Sequence, residues 1–186
     1  MNPKLFLIAQ RQIISKFYFL SISLNIIFSS NLFGQSLEVN EVDEFTKNRI
    51  KKTTYETLHV SMKFSAFFRI SNINDSEFLD LKMMIGAQVF SINKDQELML
   101  KLDNEEIITF GNLEYAITCT GCGANGFGGS TGQGIKASYY ISPEQYEKLT
   151  ANKVIKIRIY TSDGYVEGEV KEKNSLALRK ALILVE

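Results

Sequence analysis

The sequence predicts a mainly β fold: an antiparallel β-sandwich, or a curled sheet or barrel, with one short internal helix and a C-terminal helix. Three observations carry this. Apolar and polar residues alternate with period two in several separate runs, the runs are joined by short clusters of turn-formers, and only Pro3 and Pro143 occur in 186 residues. Neither proline interrupts an alternating run, so nothing forbids those runs from pairing inside a sheet.

In the first run, Met62, Phe64, Ala66, Phe68 and Ile70 fall on one side and Lys63, Ser65, Phe67, Arg69 and Ser71 on the other, the pattern of a half-buried strand. The alternation returns at 98–102, 113–117, 135–139 and 155–159. Asn74-Asp75-Ser76, Asn93-Lys94-Asp95, Asp103-Asn104-Glu105 and Asp163-Gly164 supply the turns. Asp163-Gly164 is the strongest hairpin signal among them, because both central residues of a type I′ turn need positive φ. Connections this short make neighbours antiparallel, since a parallel pair needs a crossover of a dozen residues or more. Eight to ten strands are expected.

Ser142-Pro143-Glu144-Gln145 reads as a helix start, with Ser at the cap, Pro at the first helical position and Gln where a capping box wants it. This helix should end near Asn152. A second helix is expected over 176–185, after Asn174-Ser175, with an apolar side wide enough to dock on a sheet.

The N-terminus has a different character. Residues 1–34 hold Lys4, Arg11 and Lys16 and none of the 21 acidic residues, and an apolar run, 17–28, follows the cations. That is the layout of a secretory signal peptide, and the run is short for a membrane span of about 20 residues. Cleavage is placed after Gly34, with Ser29 or Ser30 as the rival and a retained anchor as the alternative. The two cysteines lie far downstream, so a lipid-modified cysteine at the end of the leader is excluded. The leader resembles those of exported proteins of Gram-negative bacteria. The chain divides into a signal peptide (1–34), a linker (35–44) and a single β-rich domain (45–186). Once the basic leader is set aside the remainder is mildly acidic, which speaks against the broad positive field of a nucleic-acid binder.

One segment departs from the rest. Seven of the twelve glycines lie in 121–134, beside Cys119 and Cys122. Such a loop is either mobile or held in conformations that only glycine reaches. Gly121, Gly123 and Gly126 match a dinucleotide fingerprint, Gly129 and Gly134 have phosphate-loop separation, and Gly128-Gly129-Ser130-Thr131-Gly132 spells a nucleophile elbow. Each fails on context: no strand-to-helix unit of a parallel sheet is predicted, and Ile135 stands where a phosphate-binding Lys is needed. The binding-loop candidates are Asn125, Phe127, Ser130, Thr131 and Gln133, with Phe127 as aromatic anchor and loop amides as donors.

In an exported protein Cys119 and Cys122 most simply form a local disulfide. Thiol–disulfide catalysis, zinc and free thiols are the alternatives; the first lacks a helix to lower a thiol pKa, and the second lacks ligands. His59 is the sole histidine and reads as a packed or surface strand residue. The acidic pairs at Asp75/Glu77, Asp103/Glu105/Glu106 and Glu167/Glu169 read as solvated faces. No catalytic residue, metal site or cofactor is expected.

The expectation is therefore an exported protein, periplasmic or secreted, acting as a non-catalytic binding or interaction module through the glycine loop. Its partner would be an envelope or extracellular protein or ligand, with membrane contact only through the transient leader. An exported thiol–disulfide oxidoreductase and a passive structural envelope protein are the alternatives.

Overall fold

The computed structural model describes residues 36–86, 88–125 and 131–186. The expected leader and its cleavage point, together with Phe127 and Ser130, lie outside the described residues.

Alternation places the first long hairpin as expected. In β4 (Ser65–Ile73) and β5 (Ser76–Met84), Ala66, Phe68, Ile70, Leu79, Leu81 and Met83 turn inward and are buried. The turn between them is Asn74-Asp75, both at positive φ (49° and 63°), the backbone a type I′ hairpin requires. Asp163-Gly164 behaves differently from expectation. The strand pairing there closes at Thr161 and Gly164, so Ser162 and Asp163 form the turn, and only Gly164 is left-handed, at φ 101°.

The edge of β4 is covered by two short strands in series, β2 (Arg49–Thr53) and β3 (Glu56–Val60). At the break between them, the Ile70 amide donates to Thr53 Oγ1 (3.0 Å), so the interruption leaves no buried donor unpaired there. Outside β2 lies β1 (Leu37–Val42), and on the other flank of β5 lie β11 (Gln133–Ile141) and β10 (Cys119–Thr120). The segment expected as a linker thus supplies an edge strand, and the fold begins at Leu37 instead of near Phe45. Phe45 stands exposed in the following turn, where Asp43 Oδ1 accepts from the Phe45 and Thr46 amides (3.0 and 2.6 Å).

A second sheet has the order β13-β12-β7-β8: β13 (Gly164–Glu169), β12 (Val154–Thr161), β7 (Glu97–Leu102) and β8 (Ile107–Gly111). A two-stranded ribbon, β6 (Ser91–Ile92) with β9 (Ala116–Ile117), completes the set. Among the described residues all strand pairings are antiparallel, and neither large sheet closes into a barrel. The run expected as a strand over 113–117 is strand only at its end, and Met62, expected on the core side, lies in an exposed turn.

Leu98, Leu100, Leu102, Phe110, Ile157 and Ile159 from the second sheet join the inward residues of the first in one core. Burying each such side chain contributes about 1.5–3 kcal/mol, which is why the period-two runs dominate the fold. Helix α1 (Pro143–Ala151) carries the expected capping box: Gln145 N donates to Ser142 Oγ (3.2 Å), and Ser142 N to Gln145 Oε1 (2.8 Å). Helix α2 (Glu172–Val185) starts earlier than expected and packs on β2, β3 and β4 through Leu178, Ala181, Leu182 and Val185. Its first turn is tied to both sheets. Asn174 Nδ2 donates to Leu58 O (3.0 Å), and Ser175 Oγ accepts from Val154 N (2.8 Å).

Candidate functional site

Cys119 and Cys122 form the expected disulfide, with Cα atoms 5.4 Å apart. Gly121 makes the ring possible by lying at φ 76°, from where its amide donates to Gly132 O (2.8 Å). Gly123 and Gly134 are required for another reason: a Cβ on Gly123 would collide with the Met83 carbonyl, and one on Gly134 with the backbone of Gly123. The start of the glycine loop is therefore packed onto the end of β5, and in this part close approach, not mobility, accounts for the glycines.

Gln133 is held on every side. Its amide donates to Gly86 O (3.0 Å), its carbonyl accepts from Ile85 N (3.2 Å), and its side chain donates to Thr120 Oγ1 (3.2 Å). Asn125 is half-buried and Thr131 is exposed. Of the loop candidates in the described residues, Thr131 alone presents itself freely to solvent.

A cavity opens two residues along β11 from Gly134. Strand β10 covers the edge of β11 only at Gln133 and Gly134; the next contacts on that side are Leu113 N to Ser138 O (2.9 Å) and the Asn112–Tyr139 bridge. Among the described residues, 135–137 have no strand partner on this edge. The chain from Asn112 to Ala116 bows away to reach β9, leaving about 290 Å³ lined by Asn112, Leu113, Tyr115, Lys136 and Ser138 among others. Leu113, Tyr115 and Ile117 are exposed along this stretch, Tyr115 by 60%.

Asn112 anchors the base. It is 1% exposed, and its Nδ2 donates to Asn93 O (3.2 Å), Ile92 O (3.4 Å) and Glu114 O. Three carbonyl acceptors define which end of the amide is nitrogen, so Oδ1 is the atom left buried without a partner. Sequence reading missed Asn112, Leu113 and Tyr115 as a group because they look like the start of an ordinary strand.

The outer face of the large sheet, next to Lys136, carries a charge network. Asp80 accepts from Arg69 Nε (2.9 Å), Ser71 Oγ (2.7 Å) and Ser138 Oγ (2.7 Å). The Tyr55 ring sits under Lys82 Nζ (3.8 Å to the centroid) and beside Arg69 (4.8 Å). Burial lifts the Tyr55 hydroxyl to about 12. Burial also holds the Lys82 ammonium below its ordinary value, with the Lys136 and Arg69 charges acting in the same direction. Elsewhere Glu167 is paired with Lys156 (2.7 Å) and Arg158 (2.6 Å), which lower its carboxyl.

No group of His, Cys, Asp and Glu among the described residues is placed to hold a metal, and no helix among them is long and apolar enough to cross a membrane. The fold and the site together define an antiparallel β protein of two main sheets and a short ribbon, with a disulfide ring beside an open sheet edge. No protein-family model, no curated protein and no solved structure matches the chain.

Proposed function

We propose that this protein is an exported, non-catalytic binding module of the cell envelope or the extracellular space, and that its contact region is the open edge of β11 together with the disulfide-pinned loop. The observation that carries the reading is the cavity itself. Exposed Leu113 and Tyr115 line it beside residues 135–137, which among the described residues have no strand partner on the edge away from β5, so an extended partner segment can set an apolar side chain into the recess and hydrogen-bond beside it. The disulfide fixes the 119–122 ring where the loop begins, and an oxidising destination keeps the disulfide.

Thiol–disulfide catalysis has less support. The cysteines lie in strand and turn, and among the described residues no helix starts next to them to stabilise a thiolate.

Panning a random phage-displayed peptide library against the protein tests the reading. Enriched peptides should carry an aromatic or branched aliphatic residue and lose binding at least about tenfold to Tyr115→Ser. They should bind Ile107→Ser, altered on the other sheet, undiminished. Failure to enrich anything, or equal binding to Tyr115→Ser, overturns it. For export, the protein recovered from cells should begin at Gln35 with both sulfurs oxidised; a cytosolic chain still carrying Met1 and two free thiols contradicts that part.

A further inference from the structure

Strand β11 turns one rung of main chain to its open edge. Gly132 O accepts from Gly121 N (2.8 Å) and Ser138 O from Leu113 N (2.9 Å), and in an antiparallel strand alternate residues direct both main-chain groups to the same side. Lys136 stands in that alternation, between Gly134, which pairs with Cys119, and Ser138. Its N–H and C=O therefore face the open edge, and among the described residues neither has a partner.

The same rung carries unbalanced charge. Across β4, β5 and β11 it reads Phe67, Lys82, Lys136, with the two lysines directly opposite each other. Like charges in that position repel. The rung on one side, Ser65, Met84 and Gly134, is uncharged, and on the other Arg69 is balanced by Asp80 (2.9 Å), with Glu38 at 3.6 Å. Neither Lys82 nor Lys136 is in an ion pair among the described residues. Lys82 is half-buried with its Nζ over the Tyr55 ring, whereas Lys136 is exposed in the wall of the β11 cavity. Glu114, the carboxylate in that wall, is exposed and pairs with neither lysine.

We propose that the segment bound at this edge carries an Asp or Glu between two apolar residues, with the acid seated opposite Lys136. The proposal rests on the binding reading above and adds the chemistry of the partner. A residue that exchanges hydrogen bonds with the Lys136 main chain has its side chain on the same face as the Lys136 side chain, where a carboxylate pairs with that ammonium and offsets its repulsion from Lys82. The two neighbours of the acid turn to the opposite face, that of buried Ile135 and Ala137, and Ala137 lines the recess.

Phage-displayed peptides enriched on the protein, remade as fluorescein-labelled synthetic peptides and titrated by fluorescence anisotropy, test this. They should share an acid flanked by apolar residues and bind Lys136→Glu at least about tenfold more weakly. Lys171→Glu, which changes the net charge equally at an exposed position outside the recess lining, should bind them undiminished. Replacing the acid of the peptide by lysine should restore binding to Lys136→Glu and abolish it to the parent, which also shows that the variant is folded. Equal weakening by Lys171→Glu reduces the effect to net charge and overturns the proposal. Peptides that lose binding to Tyr115→Ser but not to Lys136→Glu overturn the acid requirement and leave the binding site standing. Peptides indifferent to both variants, or no enriched peptide, overturn the site and this proposal with it.

Discussion

His59 and Glu169 join the two sheets: the imidazole Nδ1 of β3 donates to the Glu169 carbonyl of β13 across 2.7 Å. The ring is held between Phe64, 4.5 Å away by centroid, and the backbone of Gly168, where a Cβ would overlap it. Gly168→Ala should therefore destabilise the protein by about 1–3 kcal/mol through overpacking. In the double variant with His59→Ala, where the obstruction is gone, the cost should fall short of the sum of the two singles by at least about 0.5 kcal/mol. Urea unfolding of the four proteins measures this; strict additivity would mean that the ring does not rest on Gly168.

Asp80 is the acceptor for three donors from two strands and is mostly buried, with 15% of its side chain exposed. Asp80→Ala leaves Arg69, Ser71 and Ser138 without it and should cost about 2–3 kcal/mol. Glu105→Ala, which breaks an exposed pair with Lys101, should change stability by less than about 0.5 kcal/mol. Comparable losses in the two variants would contradict the network.

Burial raises the Glu77 carboxyl above its ordinary value, with the Glu186 charge adding to the effect. A carboxyl raised in the folded state binds more protons there than when unfolded, so its contribution to stability declines as pH rises from the unfolded value through the raised one. Glu77→Gln should therefore melt roughly a degree higher than the parent at pH 7, and the two should converge near pH 4. Melting curves offset equally at both pH values would disprove the assignment.

The packed start of the glycine loop predicts an order of substitutions. Gly123→Ala and Gly134→Ala meet backbone and should each cost at least about 1–3 kcal/mol, whereas Gly164→Ala meets open space and bears only the left-handed backbone, about 1 kcal/mol. Cys119→Ser should cost about 2 kcal/mol, the loop-closure value for so small a ring. Denaturant midpoints give the ranking; a neutral Gly123→Ala would mean that the loop does not pack on Met83.

Local features were the legible ones. The α1 capping box, the Cys119–Cys122 ring and the inward faces of β4, β7, β11 and β12 depend on residues a few positions apart, where periodicity and spacing carry the physics. Strand β1 escaped notice because an edge strand buries little: Leu37 and Val39 are only half-covered, and Glu38 and Glu41 beside them read as linker. The His59–Glu169 joint spans 110 positions, and no pattern near either residue announces it. The β11 cavity was hidden differently. Leu113 to Ile117 alternates like a strand, but the pull of Asn112 onto the carbonyls of Ile92 and Asn93 and the pairing of β9 with β6 lift the segment off the neighbouring sheet edge. The glycine cluster was visible as a run; which glycines the packing demands became clear only when Met83 and Gly134 stood beside Gly123.

The most direct measurement of the binding account is photo-crosslinking in the cells that make the protein, with a benzophenone amino acid placed at Tyr115 and, separately, at the exposed turn residue Phe45. A discrete adduct from position 115 that is missing from position 45 is the predicted result. No adduct from 115, or the same smear from both, would contradict a binding site at the open edge of β11.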